Sequence, residues 1–257
     1  MLSPFPASLR DPAHPPPPTT HFFRSLPGAA RDAPDEVSPR ERVGAPTVYL
    51  TLGTEFNTES GDLFDRAIAG LRQLPINLVV TVGRDIDPAE FGPQPTNVRI
   101  ERYLPQGEVL PACDLVVCHG GSGTLVGALS HGLPMVVLAM GADQPANARR
   151  CDQLGLGMCL DPVRATSEEI RDTAAAVLAD SNYRLAAQKV QAEIEAQASP
   201  ASAVVLLEQV AAERRPLKPR ASKSPVALRH ASVSEQNGAT RPGVSEQRTK
   251  GDGEAAG

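Results

Sequence analysis

The residues with the clearest chemical potential lie in one stretch, between Leu115 and Gln144. An apolar run that predicts a buried parallel strand ends at Cys118, and the letters HGGSGT follow at 119–124. Glycines between a strand and a helix let the backbone approach a bound group, and the N–H groups and dipole of the helix N-terminus favour phosphate. The pattern predicts an anion site in which the imidazole of His119 donates a hydrogen bond to a phosphate oxygen.

A second polar element follows in the same stretch. After the apolar run 134–139 the chain carries Asp143 and Gln144, a carboxylate beside an amide. Such groups suit hydrogen bonding to the hydroxyls of a sugar. This stretch runs from a strand through a glycine turn and a helix to a second strand and a polar loop. The order predicts half of a binding site for a nucleotide sugar.

Strands and helices alternate around this stretch, which indicates an α/β fold with a doubly wound parallel sheet. Apolar or β-branched runs predict strands at 47–52, 77–82, 98–101, 115–118, 134–139 and 157–160. Amphipathic spacing and capping residues predict helices at 62–74, 125–130, 145–154, 166–179, 182–196 and 201–213, with a single turn at 108–112. These elements predict one Rossmann-like domain at 46–213.

The two ends of the chain differ from this domain in composition. Of the 257 residues 25 are proline, and four consecutive prolines stand at 15–18. Neither 1–45 nor 214–257 shows an apolar periodicity, and we expect both to be disordered tails. The domain between them is long enough to bury one sizeable core.

The charge and hydropathy of the chain limit the classes of function that it can have. The formal net charge of −5 gives no reason to expect a nucleic-acid partner, and the locally basic segment 214–229 is interpreted as a solvated tail. No apolar run reaches the about 18 residues of a membrane span, and none near the N-terminus is typical of a signal peptide. The four cysteines show no CxxC spacing, which predicts reduced thiols without a metal in a cytoplasmic protein; they are Cys113, Cys118, Cys151 and Cys159.

The motif 119–124, followed by GLPMVVLAMGADQPANARRC at 132–151, resembles the donor-binding signature of the nucleotide-diphosphate-sugar glycosyltransferases with two Rossmann domains, the GT-B type. The similarity covers 46–213 and points to the C-terminal domain of the bacterial macrolide and antibiotic enzymes, the erythromycin type. A glycine-rich turn alone is a weak signal, whereas its combination with an Asp-Gln pair at this spacing is specific. The resemblance implies an inverting transfer of a sugar from a UDP- or dTDP-sugar to the hydroxyl of a small molecule, with no metal and no other cofactor.

The resemblance also implies roles for individual residues. The donor diphosphate would contact His119, Gly121, Ser122, Gly123 and Thr124, together with Thr54 on the first glycine-rich turn. The nucleobase or ribose would contact Tyr103, Leu104 and Gln106, with the Tyr103 ring stacked on the base, and Arg84 would approach the base or the phosphates. Asp143 and Gln144 would bind the sugar. For each of these residues a purely structural role stays open: a capped core histidine, a partly buried loop tyrosine, a surface arginine or a solvated polar loop.

Two departures from the family pattern bear on function. Where plant-type members have a glutamate that binds the ribose hydroxyls, this chain has Gly127, which suits a deoxythymidine-diphosphate sugar. The resemblance implies an N-terminal domain that binds the acceptor and supplies the catalytic base, whereas a Pro-rich segment stands before 46, so we expect no catalytic residue in this chain. The chain is then half of an enzyme that needs an acceptor-binding subunit, a non-catalytic nucleotide-sugar-binding module, or a truncated and inactive fragment. The uncovered cleft face predicts self-association in all three cases.

Overall fold

The structure, a computed structural model, describes residues 1–24, 44–54 and 60–219. The parts of the two predicted tails at 25–43 and 220–257 lie outside these described residues.

A parallel sheet of six strands forms the centre of the molecule, in the spatial order β5-β4-β3-β6-β7-β8. The strands are β3 (Thr47–Thr51), β4 (Asn77–Thr81), β5 (Val98–Glu101), β6 (Leu115–Cys118), β7 (Met135–Leu138) and β8 (Gly157–Leu160). This is the strand order of the doubly wound dinucleotide-binding fold, in which the direction of winding reverses between the two central strands, here β3 and β6. The predicted fold class is confirmed.

Helices cover both faces of the sheet, which is why its strands read as continuous apolar runs in the sequence. They are α1 (Leu63–Leu71), α2 (Gln106–Val109), α3 (Ser122–Ser130), α4 (Gln144–Gln153), α5 (Ser167–Ala179), α6 (Ser181–Ala196) and α7 (Pro200–Glu213), with short 3-10 helices at Pro88–Phe91 and Leu110–Ala112. Apolar residues of α1 and α5 form one core cluster with the sheet. Those of α3, α4 and α6 form a second cluster on the opposite face.

Two helices show how local sequence sets these elements. In α5 the N–H of Glu169 donates to Thr166 Oγ1 at 3.1 Å, and the Thr166 N–H donates back to Glu169 Oε2 at 2.8 Å, a capping box that fixes the predicted start. Helix α3 begins at Ser122, three residues before the predicted 125. Its first turn is Ser-Gly-Thr, which has low helix propensity, and a helix N-terminus tolerates such residues because its N–H groups need no partner within the helix.

The N-terminal residues 1–24 are ordered on the domain, so the prediction of disorder is wrong for this part of the chain. Strand β1 (Leu2–Ser3) pairs in parallel with β2 (His21–Phe22). Leu9 and Phe23 are buried, and Arg150 of α4 donates through Nε to the Ser8 carbonyl at 2.8 Å. The apolar residues of this segment are too few and too irregularly spaced to produce a periodicity, although Leu9 and Phe23 are buried against the domain.

Candidate functional site

The predicted site residues gather at the carboxyl edge of the sheet. Five of them each follow a different strand. Thr54 follows β3, Arg84 follows β4, Tyr103 follows β5, His119 follows β6 and Asp143 follows β7. Parallel strands bring these ends to one edge, and the reversal between β3 and β6 opens a crevice there. His119 and Gly53 stand on the two sides of that reversal, which makes it the natural place for a ligand.

His119 lies between two glycines. A Cβ added to Gly53 would lie 2.6 Å from the imidazole Nε2, and one added to Gly121 would lie 2.4 Å from the same atom. Gly53 also has a φ of +80°, which favours glycine for a second reason. The Nδ1 of His119 is buried and has no hydrogen-bond partner among the described residues. Burying a ring nitrogen is costly, and the Thr51 backbone is a neighbouring polar group that interacts with the imidazole.

Burial lowers the pKa of His119 from its ordinary value of 6.5, although Asp143 and the Thr51 backbone act in the opposite direction. The imidazole is therefore neutral at neutral pH. A neutral imidazole retains one N–H and can still donate one hydrogen bond, as the predicted phosphate contact requires.

The N-terminus of α3 offers further donors. Gly121 is the N-cap and provides no side-chain cap, and the first helical hydrogen bond runs from the Leu125 N–H to the Gly121 carbonyl at 3.0 Å. The N–H groups of Ser122, Gly123 and Thr124 precede that bond and have no acceptor within the helix. Together with the helix dipole they form an anion-binding arrangement beside His119.

Asp143 stands against this same helix end. Its Oδ2 accepts hydrogen bonds from Ser122 Oγ at 2.6 Å and from Asn147 Nδ2 at 2.9 Å, and these contacts lower the pKa of the carboxyl. Asn147 Nδ2 also donates to the Gly120 carbonyl at 2.9 Å. The buried Asn147 thus ties the glycine turn to the β7–α4 loop. Sequence reasoning missed it, although Asp143 and Asn147 are four residues apart at a helix start, a spacing at which side chains meet.

Gln144 lies in a different environment from its neighbour Asp143. Its side chain is only 2% exposed, whereas Asp143 is exposed. Its Oε1 accepts the backbone N–H groups of Met140 at 2.8 Å and Gly141 at 3.2 Å. These buried N–H groups need an acceptor, so Gln144 shapes the loop that presents Asp143. A direct contact of Gln144 with a sugar stays a prediction.

The predicted nucleobase residues form a more open surface. Tyr103 is 61% exposed, so one ring face is available for stacking. Leu104 is buried and anchors the loop, which leaves only its backbone for a ligand. The Arg84 side chain is exposed, and its carbonyl accepts from Arg102 Nη1 at 2.8 Å, which links the turns after β4 and β5.

A buried polar network connects the two sides of the site. Gln106 Nε2 donates to Thr124 Oγ1 at 3.3 Å, which joins the turn after β5 to the first turn of α3. The hydroxyl of Tyr49 on β3 lies 2.8 Å from Thr81 Oγ1 on β4. Burial raises the pKa of Tyr49, while hydrogen bonds with Thr81, Thr51 and Gln106 oppose that rise. Sequence reasoning missed Tyr49 because a tyrosine in a strand gives no sign of where its hydroxyl lies.

In the described ranges, no group of three or more His, Cys, Asp or Glu side chains is arranged to hold a metal ion. No helix that the structure describes is long and apolar enough to cross a membrane. The four cysteines are free, and all but Cys159 are buried.

The strand order and the crevice where the winding reverses define a domain of the Rossmann-like class. The sequence profile of the erythromycin biosynthesis protein CIII-like family, C-terminal domain, matches residues 66–210. The chain belongs to this family, which confirms the resemblance.

Individual relatives agree with this assignment. The demethyllactenocin mycarosyltransferase of Streptomyces fradiae is 35% identical over 169 residues, which are 66% of this chain and 36% of that enzyme. The TDP-daunosamine transferase DnrS of Streptomyces peucetius is 35% identical over 181 residues, 67% of this chain and 41% of the relative. The chain thus spans less than half the length of these curated relatives, and it is homologous to the C-terminal domain of antibiotic glycosyltransferases.

Solved structures show the same architecture. The spinosyn rhamnosyltransferase SpnG, in complex with thymidine diphosphate, matches with a TM-score of 0.71 and 31% identity over 80% of this chain and 56% of that one. The calicheamicin glycosyltransferase CalG4 matches with a TM-score of 0.72 and 25% identity over 84% of this chain and 53% of that one. These matches confirm the predicted half of a GT-B fold.

Proposed function

We propose that this domain binds a nucleoside-diphosphate sugar at the carboxyl edge of its sheet and presents the sugar for transfer to the hydroxyl of a small acceptor. The observation that carries the proposal is His119, which lies between Gly53 and Gly121 at the switch point, beside the first N–H groups of α3, which have no acceptor within that helix. A diphosphate is the ligand whose charge and hydrogen-bond acceptors match this arrangement.

The other parts of the donor are assigned from the same geometry. The base stacks on the exposed ring of Tyr103, and the sugar hydroxyls donate to Asp143. Between dTDP and UDP we favour dTDP, because Gly127 leaves no side chain for a second ribose hydroxyl, and two relatives carry a thymidine nucleotide in their names or complexes. No metal is part of the proposal.

The proposed reaction is an inverting transfer. The acceptor oxygen attacks the anomeric carbon as the bond from that carbon to the terminal phosphate oxygen breaks, and the electron pair leaves with the diphosphate. The N–H of His119 and the α3 N-terminus stabilise the charge that develops on the leaving group. The proton of the acceptor hydroxyl passes to a base that no described residue supplies, so we assign the base to an acceptor-binding domain or subunit.

Calorimetric titration of the full chain with dTDP, UDP and their glucose conjugates tests the donor site. We expect micromolar binding and a loss of at least about tenfold in His119→Ala, since a buried hydrogen bond to a charged group is removed. His131→Ala is the matched control, because His131 follows the other end of α3.

No binding of any of the four nucleotides would contradict the proposal, and so would equal affinities of the two variants. Binding without transfer to an added acceptor is the expected result for this chain by itself, because the proposed base lies on an acceptor-binding domain or subunit. Cytoplasmic location and self-association stay predictions.

A further inference from the structure

We propose that Asp143 makes this site select against free nucleoside diphosphate, the product of transfer, and in favour of the intact nucleotide sugar. This selection rests on the proposed function of the same site and adds a role to that of binding sugar hydroxyls.

The first argument is position. Asp143 Oδ2 lies 2.6 Å from the hydroxyl of Ser122, the first residue of α3, whose N-terminal N–H groups are the proposed donors to the diphosphate. A carboxylate of the protein therefore already stands beside the anion site. A diphosphate that binds there comes within a few ångströms of a second negative charge.

The second argument is that the carboxylate is held in place. Asn147 Nδ2 donates to the same Oδ2 at 2.9 Å and to the Gly120 carbonyl at 2.9 Å, and Asn147 is buried. The residue that anchors Asp143 thus also anchors the glycine turn. Asp143 cannot swing away from the anion site without giving up its hydrogen bonds with Ser122 and Asn147.

The third argument is the chemistry of the two ligands. In the nucleotide sugar the terminal phosphate is esterified, and the sugar hydroxyls stand ready to donate to the carboxylate. In the free diphosphate the terminal phosphate carries no ester group and has most of a second negative charge, because the second pKa of such a phosphate is about 6. With no hydroxyl donor between the two anions, the free diphosphate meets repulsion at short range.

The charges around Asp143 do not cancel this repulsion. Among the described residues, His119 is the titratable side chain with an electrostatic interaction with Asp143, and because burial lowers its pKa it is neutral near pH 7.5. The other contacts of the carboxylate are with the neutral Ser122 and Asn147.

Calorimetry with Asp143→Asn tests the idea, because the substitution removes the charge and keeps the size. We expect free dTDP to bind about tenfold more tightly at low salt, and dTDP-glucose to bind no more tightly than to the wild type. The gain for free dTDP should shrink at high salt, since the site is partly exposed. Asp143→Glu, which keeps the charge, should retain the wild-type preference.

Asp152→Asn is the matched control for net charge, because Asp152 is exposed and lies near the other end of α4 from Asp143. It should leave both affinities unchanged. Thermal unfolding of each variant identifies any loss of fold.

The possible outcomes separate the two proposals. If the wild type binds dTDP and Asp143→Asn binds it equally or more weakly, the selection is refuted and the donor site stands. If Asp143→Asn weakens both ligands together, the role of Asp143 is structural and the selection is again refuted. If neither protein binds any nucleotide, the proposed function fails and the selection fails with it.

Discussion

The two sides of the candidate site are built in different ways. On the phosphate side His119 lies between Gly53 and Gly121, and a Cβ added to either glycine would collide with the imidazole. On the base side Tyr103 is 61% exposed and the side chain of Arg84 is exposed as well. Packing therefore determines the geometry of the phosphate side, whereas the base side is a surface that a ligand completes. We infer that substitutions on the phosphate side alter folding and binding together, and that those on the base side alter binding alone.

The largest effect is expected from Gly121→Ala. The backbone of Gly121 (φ −63°, ψ 142°) suits any residue, but the new Cβ would collide with the His119 imidazole. We expect a loss of about 1–3 kcal/mol in the free energy of unfolding, together with a loss of nucleotide binding. Urea denaturation and calorimetry measure the two.

Gly123→Ala is the control for this substitution, because nothing lies within 4 Å of its Cβ position. It should stabilise the protein by up to about 1 kcal/mol through helix propensity. In a His119→Ala background the cost of Gly121→Ala should largely vanish, since the clashing ring is gone. An equal cost in both backgrounds would show that the imidazole is not the source of the constraint.

The base side should respond in the opposite manner. We expect Tyr103→Ala to weaken nucleotide binding by about 1–3 kcal/mol through lost stacking. The free energy of unfolding should change by no more than about 0.5 kcal/mol, because the ring is mostly exposed. Tyr103→Phe retains the ring and should bind as the wild type does. A large loss of stability in Tyr103→Ala would remove the contrast between the two sides.

The network around Tyr49 tests whether the two sides are coupled. Tyr49→Phe removes the hydroxyl that lies 2.8 Å from Thr81 Oγ1, leaving buried polar groups unpaired. We expect a loss of about 1–2 kcal/mol in the free energy of unfolding. Nucleotide affinity should also fall a few-fold, because Gln106, which donates to Thr124, loses its hydrogen bond with the Tyr49 hydroxyl. Tyr183→Phe serves as the control, because Tyr183 is a half-buried tyrosine on α6. An unchanged nucleotide affinity in Tyr49→Phe would show that the two sides of the site act independently.

The smallest effect concerns pH. Burial lowers the pKa of His119, so the unfolded chain takes up the proton first as the pH falls. The stability that this residue contributes is therefore complete above about pH 6.5 and is lost as the pH falls from there toward the lower folded-state pKa. The urea midpoint of the wild type should fall more than that of His119→Ala between about pH 7.5 and pH 5.5. If the urea midpoints of the two proteins fall equally over this pH range, His119 is not desolvated. His131, whose pKa is also lowered, is present in both proteins and therefore does not affect the comparison.

Much of the fold follows from local patterns. The strands β5, β6 and β8 have the predicted bounds, because each is a short apolar run between residues that end strands. Patterns of this kind fail where the signal is not periodic. Residues 1–24 illustrate this, since Leu9 and Phe23 are buried by surfaces that come from distant parts of the chain.

The candidate site likewise has features that the sequence predicts and features that it does not. The sequence by itself determined that His119, the glycine turn and Asp143 would meet at one sheet edge, because parallel strands end together and a helix must start after the turn. Only the tertiary structure decided that Gln144 is buried, that Asn147 ties Asp143 to the Gly120 carbonyl, and that the Tyr49 hydroxyl lies beneath the site. The physical reason is that a polar side chain takes the partner that burial leaves available, and that partner depends on contacts between elements far apart in the chain.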